Sequence, residues 1–561
     1  MKDNYCIGIN MGLHDSSAAL LKNGKLLVMG EQERFSRNKR ANGEAPIDAV
    51  QFCLDEAEIC LDDVAYIALG SSQELLDKWH ELTEEEIAKR VRLDDPNRLF
   101  PKNIFNYKKL PPMISVPHHI AHAASAFYPS GYDEAAILVV DNRGENAATS
   151  LYFGKDNHIK LIKQFPITES LGLYYRIASQ YAGLCGKNRN VGKLMGLAAY
   201  GKPTENVALK IVGDQVSFEE TKEMSDIRGI ELADKITDKL LQYFQNHCFP
   251  YAKELVEDVM AYSNFACSVQ NAVEKALLRY CEILKEETNA KNLVIAGGVG
   301  LNCSANGKIA ASGLYENIFV QPVAGDAGVS IGAAMHVSNE KNPEQCVHFK
   351  MNHAYYGKQY STSQIVDALD KYSNLDYQIL DERQIAYRSA KFLFENKVIG
   401  WFHGRAEIGP RALGARSILG NPMYRSTLVK INQIKQREIW RPLAPSVMEE
   451  FFHDYFIGTH GSPFMIVATE VRREQRSKIP AVVHIDGSAR PQVVSRNTNR
   501  MYWELINEFN KIAGIPIILN TSFNCAEEPI VHTPENAIED FLRTSLDVLV
   551  LENVLIVKEA G

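Results

Sequence analysis

At 561 residues the chain is too long for one small module and is expected to hold several domains of about 100 to 200 residues each. Apolar residues at 45%, charged residues at 23% and aromatics at 9% exclude a disordered, fibrous or collagen-like protein. With 61 Lys and Arg against 69 Asp and Glu, the net charge of −8 excludes a global basic field for nucleic acid or anionic lipid, so any anionic ligand must be held locally.

The opening MKDNYCIGIN has an aspartate at position 3 and no apolar core followed by a small-residue cleavage site, so no secretory signal is expected. The longest apolar runs, such as AAILVV (135–140), fall far short of the roughly 20 residues that cross a bilayer. A cytoplasmic location is the expectation. Ten cysteines are scattered without a CxxC pair, which argues for buried free thiols over a zinc knuckle or a disulfide framework.

In chain order, Tyr5–Asn10 reads as a strand, MGLHDSS as a Gly-containing loop, and a second strand then turns at Asn23-Gly24 into a third, KLLVMGEQ. The phrase recurs at 136–165 as AILVVD, NRGENAA, TSLYFG, a KDNH turn and IKLIKQF. Such a duplication is the mark of two matched lobes closing on a cleft, as in the actin, Hsp70 and sugar-kinase (ASKHA) superfamily. Val269, Val273, Ala276, Leu277, Tyr280 and Leu284 trace an amphipathic helix that runs into the strand NLVIA (292–296). A Gly-rich loop, 296–308, and a strand, NIFVQPV, follow. Asp326 then stands where a helix begins, favoured there as a cap and by the helix dipole. The polar stretch 338–345 is the expected linker. Beyond it helical patterns (364–372, 382–396, 504–512) alternate with strand patterns (398–402, 515–519, 547–557), which places a second α/β domain from about residue 360. The expected domains are 1–345 and 360–561.

Three groups of residues carry candidate chemistry. In SVPHHIAHAASAF (115–127), His118 and His122 share one face if the segment is helical, and strand-terminal Asp141 with Asp326 would complete a two-His, two-Asp set. Lacking a thiolate, that set suits iron(II) or manganese as well as zinc; hydrogen-bonded helix histidines are the other reading. The loop AGGVGLN brings Gly297 and Gly298 backbone N–H groups, Asn302 and Asn306 to a place where phosphate and nucleotide can be cradled, or else it is a tight turn. Between two lobes it favours ATP with its magnesium. Lys193 and Lys202, in the Gly-rich stretch 190–203, are either ligand-facing or simply solvated. The densest pattern is GWFHGRAEIGPRALGARSILGNP (400–422), where Arg405, Arg411 and Arg416 interleave with glycines every five residues and suit phosphate or carboxylate oxygens. Downstream lie Arg437, Arg441 and Arg490, and a strand end crowded with Asn520, Thr521, Ser522 and Asn524. The second domain is thus expected to take an anionic small molecule.

Over nearly the whole chain these motifs resemble the ATP-dependent O-carbamoyltransferases of the nodulation-protein and cephalosporin type: GINMGLHDSSAAL, EQERFSRNKR, HHIAHAASAFYPS, VDNRGE, GKLMGLAAYG, AGGVGLNCSANG, GRAEIGPRALGARSILGNP, RPLAPSV and LNTSFN, in that order. The resemblance implies a threonylcarbamoyl-transferase-like N-terminal domain holding ATP and a metal, and a YrdC-like C-terminal domain where carbamoyl phosphate and ATP become carbamoyl-adenylate. It implies His118, His122, Asp141 and Asp326 as metal ligands, iron(II) foremost. His14 falls at the transfer site, and Arg441 and Ser522 belong to the reacting pocket with Arg411, Arg416, Arg490 and Asn520. The implied partners are carbamoyl phosphate and a small-molecule alcohol, a natural product or sugar, with a homodimer left open and neither nucleic acid nor membrane. Departures are Ala199 for a common proline, Ala415 for a common asparagine, and CAEEPIV for RGEPIV, which puts Glu527 and Glu528 beside the expected anion site. A sugar kinase, a tRNA threonylcarbamoyl-type transferase and a non-catalytic nucleotide sensor are the competing readings. Segments 70–110 and 205–260, rich in charge, are the expected lining or lid of an acceptor cleft.

Overall fold

In a computed structural model of the chain, residues 3–12, 14–80, 83, 92–185, 191–218, 224, 229–249, 258–343, 347–372, 375–458 and 461–558 are described. They group into two compact units, one of Met1–Ser36 with Arg40–Met351 and one of Arg37–Lys39 with Asn352–Gly561.

The first unit is built on two copies of one sheet. Strands β1 (Tyr5–Asn10), β2 (Ser17–Lys22), β3 (Lys25–Glu31), β4 (Val64–Leu69) and β5 (Met113–Ser115) lie in the order β3-β2-β1-β4-β5. Next come β6 (Glu134–Val140), β7 (Thr149–Lys155) and β8 (His158–Phe165), a separate hairpin of β9 (Leu209–Val212) and β10 (Gln215–Phe218), then β11 (Asn292–Ala296) and β12 (Asn317–Val320). Apart from the hairpin these form the order β8-β7-β6-β11-β12. In each copy the first three strands are antiparallel and the last two run parallel to the first. This doubled arrangement is the actin/Hsp70-like fold. Apolar residues on both faces of β1 and β6 are buried, as strands covered from both sides require.

Two helices fill the middle of this unit. His118–Phe127 connects β5 to β6, and Val329–Lys341 packs on it and on β1, β2 and β4. Their approach is so close that a Cβ on Gly332 would lie 1.7 Å from the Ala121 carbonyl oxygen. The helix ending at Lys341 also runs into the stretch 338–345 expected to be a linker, so the first half of that stretch is helical; residues 344 and 345 lie outside the described residues. The loop expected over 296–308 is likewise shorter, because the helix Cys303–Ala311 begins inside it.

The second unit carries an eight-stranded mixed sheet of β13 (Tyr377–Ile379), β14 (Ile399–Phe402), β15 (Arg416–Gly420), β16 (Ala444–Met448), β19 (Gln492–Val494), β20 (Ile517–Ser522), β21 (Val548–Leu551) and β22 (Val554–Val557). The order is β13-β22-β21-β14-β15-β20-β16-β19, with β17 (Thr469–Glu470) and β18 (Ser488–Ala489) paired apart. The single strand expected over 547–557 is a hairpin that turns at Glu552, whose φ of 51° admits the reversal. Helices Thr362–Leu369, Glu382–Phe394 and Arg500–Ala513 cover the sheet. Of the cysteines, Cys60 is exposed and Cys185 and Cys267 half-buried, against the expectation of uniform burial; Cys346 lies outside the described residues. No helix among the described residues is long and apolar enough to cross a membrane.

Alanine is worth about 1 kcal/mol over glycine in a helix interior. At Gly332 the clash with Ala121 reverses that sign, and Gly332→Ala is expected to destabilise the first unit by roughly 2 kcal/mol or more. Calorimetric melting of the variant checks it.

Candidate active site

The helix His118–Phe127 begins after Pro117 without a side-chain cap of its own. Its first N–H instead reaches the buried Glu145, which accepts from His118 N at 2.9 Å and from Ser72 N at 3.0 Å. A carboxylate at a helix N-terminus satisfies orphan donors and the dipole together. Glu145 thereby ties the β4 exit, this helix and the loop after β6 to one point, a role that the sequence pattern did not reveal.

On that platform His118 and His122 are stacked on one face. Their Nε2 atoms lie 3.2 Å apart, His118 Nε2 is 3.6 Å from Asp141 Oδ2 and 3.8 Å from Asp326 Oδ1, and His122 Nε2 is 3.7 Å from Asp326 Oδ1. One nitrogen or oxygen atom from each of the four side chains lies within 4.8 Å of the other three. Two imidazole lone pairs facing each other repel unless a proton or a cation sits between them, and the donor set of two nitrogens and two carboxylates fits a first-row divalent cation. His118 Nδ1 lies 3.2 Å from the Gly70 carbonyl oxygen and so carries the proton, which leaves Nε2 free to ligate. His119, on another face, meets Ser150 at 2.7 Å, and burial drives it down to about 3, so it is neutral.

Asp141 follows β6 and is almost fully buried. Its other oxygen accepts the Gly298 N–H at 3.0 Å, so the Gly-rich loop serves the carboxylate. Gly297 makes that possible: its φ is 88° and a Cβ there would lie 2.2 Å from the Val140 carbonyl oxygen. Asn302 and Asn306, expected to bind nucleotide, are instead committed to the loop. Asn302 caps the Cys303–Ala311 helix and exchanges amide bonds with Gln270, and Asn306 donates to the Gly300 carbonyl. Asp326 does not cap its helix either; Gly325 holds that position, and the carboxylate turns to the imidazoles. Lys193 lies half-buried on the helix Gly192–Ala198.

His14, in the loop between β1 and β2, is drawn to the same cluster. Its Nδ1 is 3.6 Å from Asp326 Oδ2 and 2.9 Å from Asp15 Oδ2. Burial opposes the imidazolium, but the Asp15 hydrogen bond and the Asp326 charge outweigh it and raise His14 above its ordinary value.

In the second unit the sequence-predicted arginines part company. Arg416 is fully buried: Nη1 donates to the Gly404 and Ala415 carbonyls, Nη2 to that of Lys358, and the guanidinium stacks 3.5 Å over Phe402. It braces the Gly-rich loop, so its expected place as an open ligand arm is corrected. Asn520 is also internal, its amide donating to Ala412, Ser446 and Gln492. Arg405 reaches the Tyr356 carbonyl at 3.5 Å, and Arg411, like Thr521, is half-buried. Arg441 and Arg490 keep company with Arg437 and with a cation that pattern reading left out of the site, Lys435. Burial and the charges of Arg441 and Arg490 press Arg437 well below its ordinary value, and burial with Arg437 does the same to Lys435. Lys435 donates to Asn524 Oδ1 at 2.8 Å and to Ser522 Oγ at 3.3 Å. Arg490 Nε is buried with no hydrogen-bond partner among the described residues. Glu438, 3.7 Å from Arg441, is a nearby counter-charge, while Glu528 is turned aside by a bond from Arg543. Clustered cations that depress one another are short of negative charge, the condition that a phosphate relieves.

The doubled sheet topology places the N-terminal unit in the actin/Hsp70-like class, with a second α/β unit following in the chain. Family models carry the assignment further: carbamoyltransferase N-terminus matches residues 5–335 and carbamoyltransferase C-terminus matches 390–558. Nodulation protein NolNO of Sinorhizobium fredii is 36% identical, covering 98% of this chain and 80% of its own. Nodulation protein U of Rhizobium tropici is 30% identical over 91% and 89%, and an uncharacterized Synechocystis protein 34% over 99% and 97%. The chain belongs to the carbamoyltransferase family of the nodulation-protein type, and it is an enzyme that transfers carbamoyl groups.

Burial works against charge on His118, yet the hydrogen bond to Asp141 and the charge of Asp326 push it up to about 10, so the metal-free site holds a proton. A cation must expel that proton, and apparent Mn2+ affinity is expected to rise about tenfold per pH unit between about pH 7 and 9. The imidazolium's contribution to folding is complete below about pH 6.5 and disappears as pH rises through about 10. Metal-free protein is therefore expected to unfold at lower urea as pH climbs through that window. His118→Ala should remove both trends, read by calorimetric titration and urea melts.

Proposed function

We propose that the enzyme is an O-carbamoyltransferase that forms carbamoyl-adenylate from carbamoyl phosphate and ATP and passes the carbamoyl group to the hydroxyl of a small molecule, a natural product or sugar. The single observation that carries the transfer step is that one carboxylate serves two neighbours: Asp326 turns Oδ1 to the paired imidazoles and Oδ2 to His14. A base and a charge-stabilising centre are thereby held side by side.

In this reading residues 360–561 form a YrdC-like domain. Carbamoyl phosphate, water and ATP give carbamoyl-adenylate, phosphate and pyrophosphate there, with Arg441 and Arg490 gripping the anionic oxygens beside the Ser522–Asn524 strand end, which Lys435 braces. Arg405 and Arg411 flank them, and Thr521 adjoins Ser522. Residues 1–345 carry out transfer. An alcohol is a poor nucleophile at neutral pH and needs a positioned base, which His14 supplies. The alcohol oxygen bonds the carbamoyl carbon, the bond from that carbon to the AMP oxygen breaks, and the hydroxyl proton passes to His14. ATP with its magnesium would lie by Gly297, Gly298 and Lys193. His118, His122, Asp141 and Asp326 would hold a divalent cation, with iron(II), manganese and zinc all fitting the donors, and it would supply positive charge to oxygens that gain negative charge. Of the segments 70–110 and 205–260, expected to line or lid the acceptor, residues 81, 82, 84–91, 219–223, 225–228 and 250–257 lie outside the described residues, and the proposed acceptor lining is confined to the rest.

Purified protein given ATP, carbamoyl phosphate and a panel of alcohols should yield a carbamate ester by mass spectrometry in step with AMP and pyrophosphate. A phosphorylated alcohol, or no AMP, overturns the reading. His14→Asn is expected to keep carbamoyl-phosphate-dependent exchange of pyrophosphate into ATP and to lose transfer by about 100-fold or more. Arg490→Ala is expected to raise KM for carbamoyl phosphate about tenfold or more while leaving the melting temperature unchanged.

A further inference from the structure

We infer that Asp15 and Arg40 are positioning residues that fix His14 in one tautomer, with the proton on Nδ1 and the lone pair on Nε2 presented for chemistry. The inference deepens the reading of His14 as the base and rests on it.

Asp15 and Arg40 both adopt left-handed backbone, φ 57° and 67°, where residues other than glycine are uncommon and must be held by their surroundings. Here they hold each other and are held in turn. Asp15 N donates to the Arg40 carbonyl at 2.6 Å, Asn10 Nδ2 to the Asp15 carbonyl at 2.9 Å, and Arg40 N to Glu33 Oε2 at 2.6 Å. Two unfavourable turns locked together aim the Arg40 fork at the Asp15 carboxylate: Nη2 to Oδ2 at 2.9 Å and Nε to Oδ1 at 3.3 Å. That carboxylate is left with one face, and His14 Nδ1 lies against it at 2.9 Å.

Arg40 Nη2 is also 2.9 Å from His14 Nδ1, so geometry alone allows the opposite arrangement, with Nδ1 accepting from arginine. Charge decides between them. Nδ1 faces the Asp15 carboxylate at 2.9 Å, against one guanidinium whose Nη2 and Nε already serve that same carboxylate. A proton on Nδ1 meets an acceptor at hydrogen-bond distance, and a lone pair there would face the carboxylate's negative charge. The ring is therefore held with Nδ1–H toward Asp15, and Arg40 keeps Asp15 ionised and still.

The test is nitrogen NMR of the full chain labelled with 15N-histidine and loaded with Zn2+, at pH 9, with the His14 signals assigned by their loss in His14→Asn. The wild type should show a proton-bearing Nδ1 and a bare Nε2. Asp15→Asn, which can donate to the ring, and Arg40→Met should mix or reverse the two, and Arg40→Lys should restore the wild-type pattern in part. Unmoved His118 and His122 signals report that a variant is folded; should Arg40→Met fail that check, Asp15→Asn and Arg40→Lys decide. A wild-type proton on Nε2, or variants that keep the wild-type pattern, overturns the inference. His14→Asn that transfers carbamoyl undiminished defeats the reading of His14 as base, an outcome separate from the spectrum.

Discussion

The first unit is organised around one electrostatic debt, the buried carboxylate of Asp141. Taking an ionised carboxylate out of water costs several kcal/mol unless charge and hydrogen bonds replace the solvent. Replacement comes from His118 on one side and the Gly298 N–H on the other, and the combined pull of imidazoles holds the group ionised far below the usual carboxylate range. Each supplier is positioned by a separate device. Glu145 sets the helix that bears the imidazoles, the left-handed Gly297 lets the loop double back, and Gly332 lets the Val329–Lys341 helix come close enough to deliver Asp326. The helix approach that burial of the site demands is the same one that leaves no room for a Cβ.

How much of this was legible in the sequence depends on how local each signal is. The recurrence of strand, loop and hairpin at Tyr5 and Ala136 translated directly into two sheets of one topology, because strand alternation and the Asn23-Gly24 turn are near-neighbour effects. The i, i+4 spacing of His118 and His122 placed both on one face as helix geometry dictates. Glu145 could not be found this way: its partners, Ser72 and His118, are distant in sequence and are reached through backbone N–H groups that leave no residue signature. Asn302 and Asn306 misled for a related reason. An amide beside glycines is equally suited to a ligand and to the loop's own carbonyls and N–H groups, and only the fold shows that Gln270 and Gly300 arrive first.

The same ambiguity separates the arginines of the second unit. Arg416 and Arg490 both sit near glycines in sequence, yet the Nη atoms of one donate to carbonyl oxygens over an aromatic face while the other stands among the cations Arg437 and Arg441. Guanidinium function is set by what acceptors come within reach, not by the side chain. Lys435 escaped notice because a lysine on a helix flank usually means a solvated surface; burial against Asn524 and beside Arg437 is a tertiary fact. The departure at CAEEPIV divides in the same way: Arg543 draws the Glu528 carboxylate aside, while the charge of Glu527 still acts on Arg441.

Duplication leaves a final asymmetry with a physical reason. The first lobe's opening strand ends in Asn10, while the second's is followed by Asp141. Asn10 is as buried as Asp141, but its amide donates to the Asp15 carbonyl and so steadies the loop that carries His14. A carboxylate at that position would offer no donor, would set an acceptor against a carbonyl oxygen, and would add another buried negative charge near Asp15 and Asp326. The corresponding strand ends of the two sheets therefore do different work: the charged one faces the paired imidazoles, and the neutral one holds the loop that carries His14.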